Sequence, residues 1–353
     1  AALTPGFSFR NGFGRGFERP VIRGMSNISG AANAAFFIDG VFVNGSISGY
    51  NMDNLERIEV IRGPQSALFG RSTFAGAINF VTRRPSDNYE ASVKASAGEF
   101  NYQDMSAWAS GPIVAEKLRF QVDGRYFNKD GQYTNIVSGA KDVGGTRSKS
   151  IGGTLDWTPT DWFDATLRAN YSVDDDELPA MVRLGGPNTG LSSAAVLNCY
   201  QALPGTRRRG YYCGTVPTLD FLSVNSTSYG AAGLEQGRQA NTFRSSLVMN
   251  ATWRDYVFTS TSSYDRVSNY GALDQDYSSL RGFGGAFESI GFSGVDYWSQ
   301  ELRVASPRDG RLRWQAGFYT FEANPDTSSL AGNLVANPVP GQPDLPARIT
   351  PQD

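Results

Sequence analysis

Between residues 163 and 173 the chain alternates strictly between two chemistries. Phe163, Ala165, Leu167, Ala169, Tyr171 and Val173 fall on one face of an extended strand, and Asp164, Thr166, Arg168, Asn170 and Ser172 on the other. The same period of two recurs in Leu118–Tyr126, Ile151–Trp157, Phe243–Trp253 and Trp314–Phe318. A soluble sandwich alternates in the same way, so the pattern alone does not decide the solvent. Nine strands are predicted, near 89–98, 102–111, 117–129, 148–158, 163–175, 239–253, 256–269, 295–305 and 311–322. Each is long enough to cross a bilayer when tilted, which takes about 9–11 residues. Trp157, Trp162, Tyr171 and Trp253 sit near strand ends, where interface girdles belong.

The connections carry a second regularity. Those after alternate strands are short: 112–116, 159–162, 254–255 and 306–310. Three of the others are long (130–147, 176–238 and 270–294), the tight Glu99-Phe100-Asn101 turn being the exception. Short turns on one rim and long loops on the other are the layout of an outer-membrane barrel with its loops outside the cell.

Residues before 86 read differently. Leu55, Ile58, Val60 and Ile61 form a short strand stopped at Gly63-Pro64, and Gln65–Phe69 fit one helical turn ended by Gly70. Ala77–Val81 form a second strand closed by Arg83-Arg84-Pro85. This segment, with Val21-Ile22-Arg23-Gly24 and Phe37-Ile38-Asp39-Gly40-Val41 upstream, resembles the plug domain of TonB-dependent outer-membrane receptors in kind, order and spacing over residues 9–85. The expected fold is mainly β: a small α+β plug (1–85, truncated at its N-terminus) inside a transmembrane antiparallel barrel, whose first part is 86–353. Plugged barrels have about 22 strands, and an open nine-stranded sheet in lipid would leave orphan edge amides. The chain is therefore expected to be the leading portion of a longer receptor, with the TonB box outside it.

The resemblance implies energised import and no enzyme. TonB, with ExbB and ExbD, would pull on the plug of a monomeric barrel in the bacterial outer membrane, among lipid and lipopolysaccharide. The ligand expected is an iron–siderophore complex; cobalamin, haem, an oligosaccharide or an aromatic compound stay open. The competing readings are a passive porin, which has no use for a folded obstruction, and a secreted β-sandwich enzyme or adhesin. The net charge of −2 and dispersed Lys and Arg give no nucleic-acid footprint. No histidine is present, which removes the commonest metal ligand and general base, so neither a metal site nor a cofactor is expected. Gly12-Phe13-Gly14-Arg15-Gly16 is turn chemistry, not a dinucleotide fingerprint.

Candidate site residues follow. By resemblance, Arg23 and Arg62 oppose barrel glutamates, with Glu301 as the partner; guanidinium forks suit partly buried carboxylates. Plug turns 26–34 and 42–50 are expected to face outward, making Asn27, Ser29, Asn44 and Tyr50 ligand contacts together with Tyr211 and Tyr212 of the long loop. Cys199 and Cys213 are spaced for a loop-closing disulfide, stabilising by about 3 kcal/mol in an oxidising compartment. Asp174-Asp175-Asp176-Glu177 is either a calcium site or a solvated acidic rim. Arg207-Arg208-Arg209 is either an exposed loop or a contact for anionic ligand or lipopolysaccharide.

Overall fold

The computed structural model describes residues 5–11, 14–15, 18–25, 34–47, 49–63, 73–134, 143–179, 199–202, 208–211, 237–274, 287–310, 312–335, 345–346 and 350–352. The first third builds two small sheets. Strands β1 (Phe7–Asn11) and β2 (Glu18–Ile22) form an antiparallel ribbon. Strands β3 (Ala34–Ile38), β4 (Val41–Phe42), β5 (Leu55–Arg62) and β6 (Gly76–Thr82) form a four-stranded sheet in the order β4-β3-β6-β5, with β3 and β6 parallel. The turn from β3 to β4 is two residues long and left-handed at both, Asp39 (φ 49°) and Gly40 (φ 82°), which matches the twist of a tight hairpin. At Gly76 a Cβ would stand 2.2 Å from the Ile61 carbonyl oxygen, so only glycine lets β6 pair that closely with β5. Phe36, Val43, Ile47, Tyr50, Ile78 and Phe80 make the main apolar core on one face of this sheet; Ala35, Phe37 and Ala77 pack on the other. The helical turn expected at Gln65–Phe69 lies outside the described residues.

The rest is one antiparallel sheet of eleven strands among the described residues. Its long members are β7 (Glu90–Gly98), β8 (Tyr102–Val114), β9 (Leu118–Lys129), β10 (Thr146–Thr160) and β11 (Phe163–Asp176). A separate short hairpin, β12 (Cys199–Ala202) with β13 (Arg208–Tyr211), follows in the long connection. The sheet then continues through β14 (Gly237–Trp253), β15 (Tyr256–Asp274), β16 (Phe287–Ala305) and β17 (Gln315–Val335). Two short strands, β18 (Leu345–Pro346) and β19 (Thr350–Gln352), pair back onto β17. All nine expected strands exist, and every long one pairs with its sequence neighbour in the sheet. The two-residue turns at Phe100-Asn101 and Arg254-Asp255 are left-handed at both positions, as hairpin geometry requires.

Two boundaries differ from expectation. The last long strand runs Gln315–Val335 rather than 311–322, because Ser306 and Trp314 close the turn by mutual hydrogen bonds, Ser306 N to Trp314 O at 2.9 Å and Trp314 N to Ser306 Oγ at 2.9 Å. Strands β15 and β16 also run further toward the long-loop rim. Their extensions, 270–274 and 287–294, contain Gly271, Gly291 and Gly294, which carry no side chain to alternate.

Burial in the large sheet is inverted relative to a soluble protein. On β11 the polar residues Asn170 and Ser172 are 8% and 2% exposed, whereas Leu167 and Tyr171 are 45% and 44% exposed. Val93, Ile151, Leu155, Val122 and Phe318 are likewise open. An apolar face this extended, left to water, would forfeit about 25 cal/mol for every Å² it could have buried. In hydrocarbon it costs nothing, and the polar face then has to meet protein or water. Phe163 contacts both Trp157 and Trp162 at the short-turn rim, and Tyr256 contacts Trp314. They form the aromatic girdle of that interface.

Candidate functional site: the seam between plug and wall

The small sheets lie against the polar face of the large one, and the joint is built almost wholly from hydrogen bonds and ion pairs. At the long-loop rim Arg15 forms an ion pair with Asp176, donates from Nε to Asp176 Oδ1 at 2.9 Å and from Nη1 to Ser148 Oγ at 2.5 Å. Asp174 lies 3.6 Å from the same guanidinium, and Arg238 stands behind both carboxylates at 3.7–3.9 Å. Within the acidic run 174–177, Asp174 and Asp176 are thus sealed into ion pairs, whereas Asp175 stays about half exposed. Strand alternation turns Asp174 and Asp176 inward to Arg15 and Arg238, while Asp175 and Glu177 face Arg147. Among the described residues no group of three or more carboxylates or thiols is arranged to hold a metal ion.

One level down, the segment 44–54 is seated against four strands. Arg244, buried on β14, donates from Nη2 to the carbonyls of Asn44 (3.1 Å) and Ser46 (2.7 Å). Asp265 on β15 accepts from the backbone and side-chain amides of Asn44. Gly49 meets β11 so closely that a Cβ would sit 2.9 Å from Asp174 Oδ1 and 3.0 Å from Ser172 Oγ. On β9, Asp123 takes Asn51 Nδ2 at 3.0 Å and Asn54 Nδ2 at 2.9 Å, and Gln121 donates to Asn54 Oδ1. Most buried polar groups at this level are matched from the other side, which is how a polar interface limits the cost of desolvation; Gln121 Oε1 and Arg244 Nε are buried without a hydrogen-bond partner.

Asp53 reaches the wall too, accepting from Lys94 Nζ (2.7 Å) and Ser106 Oγ (2.7 Å). The Lys94 hydrogen bond, opposed by partial burial and aided by Ser106, holds the Asp53 carboxyl below its ordinary range. Burial in the plug core, with Asp123 and Asp39 nearby, pushes the Tyr50 phenol far above its usual value and keeps it neutral. Glu59 is held below its usual range first by Asn79 Nδ2 (2.9 Å) and then by Arg57. Lower still, Arg168 Nε stands 3.2 Å from Asp39 Oδ2, and Asp39 also accepts from Thr82 N and Oγ1. The exit toward the large sheet is tied down as well: Arg83 stacks 5.0 Å over Trp108, and Ser86 N donates to Ser110 Oγ at 2.8 Å.

Several expected site residues sit elsewhere. Arg62 is exposed and donates to the Pro5 carbonyl at 3.3 Å; Arg23 is exposed with a left-handed backbone (φ 52°). Glu301 is on the inner face of β16, 3.8 Å from Arg303. The plug side chains that reach the wall do so on β7 to β15, and no contact between Arg62 and Glu301 is formed among the described residues. Asn44 and Tyr50 are each only 7% exposed, Asn44 in the Arg244–Asp265 grip and Tyr50 in the plug core. They are seating residues rather than an open ligand surface. Asn27, Ser29, Tyr212 and Cys213 lie outside the described residues, as does the segment 203–207 containing Arg207. Cys199 opens β12 opposite Tyr211 of β13, with Arg208 and Arg209 on the same strand.

The seam residues that the sequence did not single out are Arg15, Asp39, Asn51, Asp53, Asn54, Asp123, Arg168, Arg244 and Asp265. For Asp123, Arg168, Arg244 and Asp265 a signal was present in one respect: a charge on the inward face of a membrane strand needs a partner. The identity of each partner depends on how the plug is rotated in the barrel, which no local pattern encodes.

A family model of the TonB-dependent receptor plug domain matches residues 1–77. The pesticin receptor of Yersinia pestis is 29% identical over 152 residues, covering 42% of this chain and 22% of that protein. The ferrioxamine B receptor of Salmonella typhimurium is 31% identical over 142 residues, covering 38% of this chain and 20% of that protein. The crystal structure of the ferric yersiniabactin uptake receptor of Yersinia pestis superposes with a TM-score of 0.70 at 18% identity, over 94% of this chain and 46% of that one. The chain therefore spans less than half of that structure and matches about a fifth of these relatives' length. A matched plug model over residues 1–77, receptor relatives in sequence and a receptor fold across nearly all its length agree with the inverted sheet and its polar seam: residues 1–77 match the plug domain of TonB-dependent receptors, and the chain as a whole has the fold of such a receptor's plug and barrel wall.

Proposed function

We propose that this receptor imports an iron–siderophore complex across the outer membrane, with TonB, ExbB and ExbD supplying the work. The observation that carries this reading is the seam itself. A folded obstruction is held to the barrel wall by polar contacts at several levels, from Arg15 at the long-loop rim to Arg168 below. Contacts of this kind can be broken and remade, but together they do not release spontaneously, so passage demands applied force. A passive pore has no need of them. The ligand class is supported by relatives named for ferrioxamine B and ferric yersiniabactin. Cobalamin, haem, an oligosaccharide or an aromatic compound would use the same machinery.

In this reading residues 1–85 act as the plug and 86–353 as barrel wall, set in lipid and lipopolysaccharide as a monomer. The outer edges of the large sheet are closed by further strands, since open edges in hydrocarbon cost several kcal/mol per orphan amide. Ligand contacts fall on Asn27, Ser29, Tyr211 and Tyr212 at the long-loop side. Asn44 and Tyr50 pass the effect of binding to the Arg244–Asp265 grip. Ion pairing between plug and wall rests on Arg15 and Arg168. Uptake of siderophore-bound radioactive iron by iron-starved cells tests the proposal. Uptake should depend on both this gene and TonB. Uptake that survives loss of TonB would overturn energised import, and growth dependent on the gene only with another nutrient would reassign the ligand.

A further inference from the structure

Beneath the plug sheet, near the short turns, lies a cavity of about 610 Å³ between β5/β6 and strands β9–β11 and β14. The volume is that of a site for a ligand of several hundred daltons. Its lining is polar, and each guanidinium of the pairs faces a carboxylate: Asp39 with Arg168 (3.2 Å), Glu59 with Arg57 (2.8 Å) and Asp156 with Arg119 (3.0 Å), Arg57 and Arg119 also meeting Glu56 (2.9 Å) and Asp87 (2.5 Å) outside the lining. Arg84 and Asp164 complete an equal count of both signs. Arg168 also lines a much smaller cavity of about 40 Å³ directly above, shared with Tyr50, Asp123 and Arg244. The Asp39–Arg168 pair therefore stands where the tight upper seam gives way to the open lower one.

We infer that the lower cavity is a water-filled holding chamber on the periplasmic side of the plug, built for a hydrogen-bonding solute of small net charge. This rests on the import reading above and deepens it. Three of the four lining carboxylates already face a guanidinium, and Asp164 accepts from Asn250 at 2.8 Å. No set of free carboxylates converges on a bare cation, so iron would have to pass in its chelated form. Nor is there an uncompensated arginine cluster to trap an anion. Neutralised dipoles and ion pairs leave many donors and acceptors but little net field, which favours polar solutes and lets them leave again.

Cysteine labelling of the full-length receptor in outer-membrane vesicles tests this, with site-resolved peptide mass spectrometry separating the signal from Cys199 and Cys213. Thr158→Cys in the chamber and Ser172→Cys in the tight seam are treated with three methanethiosulfonate reagents: trimethylammonioethyl (cationic), sulfonatoethyl (anionic) and hydroxyethyl (neutral). Thr158→Cys should label with all three, its cation-to-anion rate ratio within about threefold of that of a free thiol. Ser172→Cys should stay protected. Adding Glu59→Gln should move the Thr158→Cys ratio toward the anionic reagent, and Arg57→Gln toward the cationic one. Protection of Thr158→Cys, or a skew of about tenfold or more toward either sign, would overturn the chamber. The labelling needs neither TonB nor cargo. A skewed ratio in a receptor that still takes up iron thus rejects the chamber alone, and a balanced ratio without TonB-dependent uptake rejects the import reading alone.

Discussion

The wall from β9 to β15 and the wall at β16–β17 have the same lipid face but opposite inner faces. Toward the plug, inward residues are buried and matched: Asp123 by two asparagines, Arg244 by two carbonyls, Asp174 and Asp176 by Arg15. On β16 the inward Glu301 and Arg303 remain about a third exposed and face each other at 3.8 Å. Both walls carry charge at the same alternating positions. What separates them is whether a desolvating surface stands opposite. A charge facing water costs little and is worth little, whereas one sealed under the plug requires its partner.

The largest contrast is expected from the two arginines. Arg244→Ala strips the grip on Asn44 and Ser46 and leaves Asp265 buried without its counter-charge. Plug unseating in urea, followed by protease cleavage in the plug, should become easier by about 3–5 kcal/mol. Arg303→Ala should change it by less than about 1 kcal/mol. Equal effects would show that the two walls do not differ as described.

Glycines sharpen the comparison at a smaller scale. Gly49→Val and Gly152→Val push side chains into Asp174 and Asp123, whose oxygens lie 2.9 Å and 2.6 Å from the position of an added Cβ. Each should cost about 1–3 kcal/mol of the same unseating free energy. At Gly291 on β16 an added Cβ meets nothing within 4 Å, and Gly291→Ala should fall within about 0.5 kcal/mol of wild type.

The smallest effect is that of pH at Asp53. Its folded pKa is depressed, so its contribution is present above the unfolded carboxylate value and is lost as pH falls through the lower folded value. Hydrogen exchange in 51–54 should quicken on acidification below the normal carboxylate range, and Asp53→Asn should flatten that dependence. An unchanged profile in Asp53→Asn would remove Asp53 from the seam.

The strands were legible because lipid imposes a simple rule on them. Period two in 163–173 separated the open Leu167, Ala169 and Tyr171 from the covered Asn170 and Ser172 and put Arg168 on the inward face, although the outward Ala165 is itself only 8% exposed. Legibility failed where that rule stops applying. The extensions around Gly271 and Gly291 are glycine-rich and carry too few side chains to show alternation, so they read as loop. The Arg62–Glu301 pairing failed for a different reason: it joins two segments more than half the chain apart, and plug rotation decides which wall position faces which plug residue. The run at 174–177 was read as a contiguous cluster, but on a strand its members point alternately in and out. Asn44 and Tyr50 had the small-residue turn setting of a ligand surface, and only the depth of the turn against β14 and β15 showed them to be covered.

Spin labels at Leu167, Ile151 and Leu247, compared with labels at the inward Glu301 and Arg303, test the inverted sheet most directly. In the full-length receptor in bilayers, the first three should collide preferentially with dissolved oxygen, and the last two with a water-soluble nickel chelate. Nickel accessibility at Leu167, Ile151 and Leu247 equal to that at Glu301 would contradict the account.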